Sequence, residues 1–83
     1  MKLLDKIMRL FGYENIEYIH IYEDFKNHPP KPWKMWERRL FWMFTKKFAV
    51  PIVVNSGNYL KDGYTSYLIA KGHDIKYVKV VRV

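Results

Sequence analysis

The 83-residue chain has no cysteine, so disulfides, thiolate nucleophiles and cysteine-based zinc sites are excluded, and the absence fits a reducing, cytoplasmic setting. No apolar run approaches the roughly 20 residues that a membrane span requires. The opening Met1-Lys2-Leu3-Leu4-Asp5-Lys6 is broken by charge too early for a signal peptide. Acidic groups are scarce, at eight, and histidines number three. His20, His28 and His73 are scattered without metal-ligand spacing, and no metal or other cofactor is expected. Glu23-Asp24 are neighbours whose side chains point apart at a strand end, not the convergent carboxylates that a metal-dependent nuclease requires. No Ser/His/Asp arrangement can be assigned from spacing, so no residue is marked as catalytic.

Positive charge and aromatic side chains are what the chain has in quantity. The net charge is +7, and 18% of the residues are aromatic. Residues 1–25 carry a net −2, residues 26–47 a net +6, and residues 48–83 a net +3. A local excess of this kind favours an anionic partner: nucleic acid, a nucleotide or an acidic protein face. The apolar share of 49% is enough for one small packed core.

Leu3, Leu4, Ile7, Met8, Leu10 and Phe11 follow helical spacing, with Gly12 as the stop, and the stripe is expected to pack on its own domain. Ile16 to Tyr22 reads as a strand. Asn27-His28-Pro29-Pro30-Lys31-Pro32 is a stiff loop, because prolines continue neither a helix nor an inner strand. From Trp33 to Phe48 the spacing is again helical. At about 100° per residue, Trp33, Trp36, Leu40, Met43, Phe44 and Phe48 share one face, and Arg38, Arg39 and Lys46 lie opposite with Met35 and Trp42. Ile52-Val53-Val54 and Tyr59-Leu60-Lys61 flank the turn Asn55-Ser56-Gly57-Asn58 as a hairpin. A short helix runs from Tyr64 to Lys71 with Gly72 as its stop. Ile75 to Val83 is an inner strand, apolar on both faces.

The stretch from Pro51 to Val83, with its hairpin, its Tyr-Leu-Lys-Asp-Gly-Tyr-Thr-Ser turn into a short helix and its closing strand, resembles the ParB-like nuclease-domain family, which shares its fold with sulfiredoxin. With the looser match over Ile16 to Phe48, the resemblance covers about four-fifths of the chain. It implies an α+β fold with a small mixed β-sheet and packed helices. It also implies one domain over residues 1–83, with a core from 15 to 83 and an added helix over 1–12.

In the family, the turn before the short helix binds phosphate groups of nucleotides or nucleic acid, as the free N–H groups of a helix N-terminus suit an anion. Here that turn is Lys61, Asp62, Gly63, Tyr64, Thr65 and Ser66. Ser66 stands where the family carries a phosphate-gripping arginine, and Tyr64 stands where sulfiredoxin carries its catalytic cysteine, so sulfiredoxin chemistry is excluded. Asp62 would repel phosphate unless a metal or Lys61 offsets it.

The sequence reading is therefore a non-catalytic ParB-like module for nucleic acid, held by Lys34, Arg38, Arg39, Trp42, Lys46 and Lys47, with Trp42 stacking on a base while the cations hold phosphates. Two readings stand beside it. One is a small phage or mobile-element protein that covers an acidic host-protein surface through Trp42. The other is a nuclease or nucleotide hydrolase.

Overall fold

The computed structural model describes residues 2–83. Helix α1 (Leu3–Leu10) ends where Gly12 takes φ +84°, a left-handed conformation that reverses the chain into strand β1 (Tyr13–Asn15). The strand expected over Ile16–Tyr22 is replaced by a 3₁₀ turn at Ile16–Tyr18. The Asn15 side chain accepts a hydrogen bond from the Glu17 N–H at 3.0 Å, which closes a local turn in place of a ladder. Residues three apart eclipse in such a turn, so Ile16 and Ile19 enter the core together. Beyond it only His20 is bridged, in parallel, to Tyr59.

Glu23 and Asp24 form the first turn of a short helix, α2 (Glu23–Asn27), rather than a strand end. Acidic groups are favourable at that end of a helix. After the proline loop, Pro32 opens α3 (Pro32–Thr45), in the one helical position where its missing N–H costs nothing. The helix ends earlier than Phe48, because Lys46 takes a left-handed conformation and its N–H closes on the Trp42 carbonyl at 2.7 Å. Strands β2 (Ile52–Val54) and β3 (Leu60–Asp62) form the expected hairpin. Asn55 Oδ1 accepts from the N–H groups of Gly57 and Tyr59 in its turn. Helix α4 (Tyr64–Gly72) follows, and the left-handed residue after it is Asp74 rather than Gly72.

The last strand, β4 (Tyr77–Arg82), lies inside the sheet, as its two-sided apolar character requires. The sheet order is β1-β4-β2-β3, with β4 parallel to β2 and the other two pairings antiparallel. One face carries the core: Ile52, Val54, Leu60, Val78 and Val80 pack with Ile16, Ile19, Tyr67 and Ala70. Alternation sends Tyr77, Lys79 and Val81 of β4 to the other face.

Two helices are turned the opposite way from their apolar patterns. Leu3, Leu4, Ile7, Leu10 and Phe11 of α1 are exposed, and its one buried residue is Asp5. Asp5 accepts hydrogen bonds from the Tyr77 hydroxyl at 2.5 Å, the Tyr18 hydroxyl at 3.1 Å and the Asn15 amide at 3.3 Å. Three donors to one carboxylate outweigh what the stripe would gain on the small free edge beside β1. The Tyr77 bond is the main reason the Asp5 carboxyl lies below its ordinary pKa, and the same bond pushes the Tyr77 phenol up to about 12. Helix α3 buries no residue completely. It meets α4 through Arg38 and Trp42, and Trp33, Trp36, Met43 and Phe44 face outward.

Candidate phosphate-binding cleft at the start of α4

The turn into α4 depends on Gly63. It has φ +86°, and a Cβ there would lie 2.2 Å from the Pro51 carbonyl oxygen. Asp62 Oδ1 accepts from the Gly63 N–H at 2.8 Å, so this carboxylate holds the turn and does not cap the helix beyond it. The first bond of the helix runs from the Tyr67 N–H to the Gly63 carbonyl at 3.0 Å. The amides of Tyr64, Thr65 and Ser66 come before it and have no partner within the helix.

An open cleft of about 580 Å³ lies against this turn. Asp62, Gly63, Tyr64 and Thr65 form one wall, and the proline loop with the start of α3 forms the other. Lys31, Lys34 and Arg38 line the second wall, together with Trp33 and His28. Arg38 reaches across and donates from Nη1 to Thr65 Oγ1 at 3.2 Å. The tilted rings of Phe25 and Tyr64, 5.3 Å apart, form the apolar end. Three cations thus face one carboxylate, Asp62, next to the positive end of a helix.

The residues expected to act together separate into distinct places. Lys34 and Arg38 line the cleft; Arg39 is exposed and does not. Trp42 is half-buried, with the His73 ring 4.5 Å away, the Phe48 ring 6.4 Å away and the Lys46 ammonium 4.8 Å from its centroid. The partners that cover it are Phe48 and His73 at the end of α4. Lys46 and Lys47 lie past the end of α3 and line a separate groove on the outer face of the sheet. Lys61 projects from β3 and sits 5.6 Å from the Tyr22 ring. Ser66 is 1% exposed and donates to the Val50 carbonyl at 2.5 Å, so its hydroxyl faces inward and not into the cleft.

Sequence reasoning missed Lys31 and His28. The available signal was a lysine held by Pro29, Pro30 and Pro32, which cannot swing far from the helix start it precedes. Among the described residues, no three His, Cys, Asp or Glu side chains converge as a metal site. No described helix is long and apolar enough to cross a membrane.

A small mixed four-stranded sheet with helices packed around it is the fold of a ParB N-domain. Two solved structures of a pNOB8-like ParB N-domain, one of them in a C2221 crystal form, superpose on this chain with a TM-score of 0.69. Each is 24% identical over 84% of this chain, and the match spans 27% of one of those chains and 25% of the other. The ParB-like fold and the α+β class expected from the sequence are thereby shown. No protein-family model matches the sequence, and no curated protein does.

Proposed function

We propose that the chain is a non-catalytic ParB-like module that binds nucleic acid, with a backbone phosphate seated in the cleft at the start of α4. Residues 15–83 form the binding core in this reading, and residues 1–12 are an appended helix. The observation that carries it is the convergence of Lys31, Lys34 and Arg38 on the Gly63–Thr65 turn. Arg38 supports it in a further way. The family resemblance leads one to look for an arginine inside the turn, where this chain has Ser66; Arg38 brings a guanidinium to the turn from α3 instead. A guanidinium paired with helix amides suits a phosphate's oxygens better than a lysine would.

The test is a titration of the wild-type protein and Arg38→Ala against labelled DNA at 50 and 200 mM salt. Each neutralised phosphate contributes about −0.9 to the slope of log affinity against log salt on duplex DNA. Arg38→Ala is expected to weaken binding about tenfold on every sequence and to make that slope shallower by about one. Unchanged affinity in Arg38→Ala, with the variant folded, would remove the cleft from the reading. No binding at 50 mM salt would remove nucleic acid altogether.

A second reading is favoured by the outward face of α3, where Trp33 is 63% exposed, Trp36 62% and Phe44 84%. Aromatic side chains at helical spacing beside Arg39 and Lys34 suit an apolar groove with an acidic rim on a partner protein. In that case Trp36→Ala is expected to weaken the complex by more than about 2 kcal/mol, as read by calorimetry with the captured partner. DNA binding would stay unchanged in the same variant, and a loss of both would point to damage to the fold.

A further inference from the structure

The outer face of the sheet carries a second groove, of about 630 Å³, whose residues come from three separate parts of the chain. Register decides what meets there. Tyr13 of β1 lies directly opposite Lys79 of β4, and Val81 follows on the same face. The left-handed Lys46 turns the chain at the end of α3, and Lys47 and Phe48 come down beside that face. Phe48, Val81 and Tyr13 are part of a mostly apolar lining, and its charged residues are Lys46, Lys47 and Lys79. No Asp or Glu lines it. Its charge is therefore of one sign, above a surface that water wets poorly.

We propose that this groove is a contact site for single-stranded nucleic acid, with an unpaired base laid against Tyr13 and its flanking phosphates on Lys47 and Lys79. Among nucleic acids, an apolar surface gains from one that offers a free aromatic face. A duplex keeps those faces stacked inside, whereas a single strand presents them. The cations are lysines, which act as point charges without the planar fork that reads a base edge, so contact here is tolerant of sequence. Trp42 is the wrong ring for this role. It is covered by His73 and Phe48, and Lys46 lies over its face. The stacking surface instead comes from Tyr13, which the chain's linear order places far from the basic helix. The inference shares its class of ligand with the function proposed above but rests on different residues, so the two can fail separately.

The experiment compares three labelled probes at low salt by fluorescence anisotropy: a dT12 strand, an abasic strand of the same length, and a hairpin duplex. Lys79→Glu is the main variant, because Lys79 is exposed and its replacement leaves the core intact. Tyr13→Ala, Lys47→Glu and Arg38→Ala accompany it. The expected result is that the wild type holds dT12 about tenfold tighter than the abasic strand, the size of effect one stacked base supplies. Lys79→Glu and Lys47→Glu weaken dT12 about tenfold and change the duplex less than twofold. Tyr13→Ala weakens dT12 and leaves the abasic strand unchanged.

Equal affinity of the wild type for dT12 and the abasic strand would overturn the inference, as would equal losses on dT12 and duplex in Lys79→Glu. If Arg38→Ala loses all binding while Lys79→Glu loses none, the sheet groove falls and the α4 cleft stands. If dT12 binding survives Arg38→Ala but not Lys79→Glu, the groove stands; if duplex binding survives Arg38→Ala as well, the cleft falls. If no probe binds the wild type, both fall.

Discussion

Replacing Gly63 with alanine is expected to cost about 3 kcal/mol or more of folding stability, by two additive routes. A residue with a Cβ costs roughly 1–2 kcal/mol in the left-handed region that Gly63 occupies at φ +86°. The added methyl would also meet the Pro51 carbonyl oxygen at 2.2 Å and the Pro51 carbonyl carbon and Ile52 Cα at 2.9 Å. Those are backbone atoms at the entry to β2 and cannot swing aside as a side chain would, and overpacking of this kind costs about 1–3 kcal/mol. A domain of this length has total stability on the order of 4–12 kcal/mol, so the variant should melt more than about 12 °C below the wild type. Gly12→Ala is the control. Its φ is +84°, but nothing among the described residues lies within 4 Å of its would-be Cβ, so it should show the conformational part alone. Urea unfolding of the three proteins checks this, and equal losses in the two variants would mean that the contact with Pro51 carries no energy. The link to the proposed function is direct, because the same close approach sets the α4 amides against the cleft.

Glu14→Ala should be nearly as damaging. Glu14 is 1% exposed, yet it is charged and faces the core side of β1. Its carboxylate takes Arg9 Nη2 at 2.6 Å and Nε at 2.9 Å, the Asn58 amide at 2.6 Å, and Arg82 Nη2 at 3.4 Å. The cluster ties the end of α1, the hairpin turn and the end of β4 to β1. Removing the anion leaves two guanidinium groups side by side with nothing between them. Breaking a buried pair from one side costs about 3–5 kcal/mol. The two arginine side chains are about a third exposed, so water takes up part of the loss and the expected cost is at the low end, about 3 kcal/mol. Glu14→Gln keeps an acceptor for Asn58 and should lose only about 1–2 kcal/mol. Urea midpoints measure both, and hydrogen exchange in α1 should rise in Glu14→Ala before the rest of the domain loosens. A loss below about 1 kcal/mol in Glu14→Ala would show the cluster to be solvated in practice. The same variant loosens the register that sets Tyr13 beside Lys79, so it also tests the sheet groove from behind.

The elements that were legible in the sequence are those whose signals are local. The Asn55–Asn58 turn between two β-rich triplets, Gly63 before a helical run, Gly12 after one, and a β-branched strand apolar on both faces each need only their near neighbours to take their conformation. The Gly63 turn became a phosphate-binding candidate through the family resemblance, which falls on contiguous residues there. Where the reading went astray, a local pattern had two outcomes. Ile16 to Tyr22 has strand composition, but one asparagine at its start was enough to close a 3₁₀ turn, and the partner that makes β1 a strand lies in β4, more than 60 residues away. Glu23-Asp24 satisfied a helix start as readily as a strand end.

By itself, then, the sequence determined three of the helices (α1, α3 and α4), the hairpin, the inner strand and an excess of positive charge, because backbone preference and apolar period act over a few residues. Only the tertiary structure decided which way those elements face. Period shows that α1 and α3 each have an apolar side, but not that the side is buried. Asp5 turned α1 over because its donors Tyr77, Tyr18 and Asn15 come together only in the folded sheet. Arg38 and Trp42 turned α3 inward because Thr65 and His73 wait on α4. The same long-range pairing divided one basic segment between two sites: Lys34 and Arg38 went to the α4 cleft, and Lys46 and Lys47 to the groove beside Tyr13 and Lys79. Side chains on a helix and just beyond its end can serve different surfaces, and which surface each one meets is settled by what the rest of the chain packs against it.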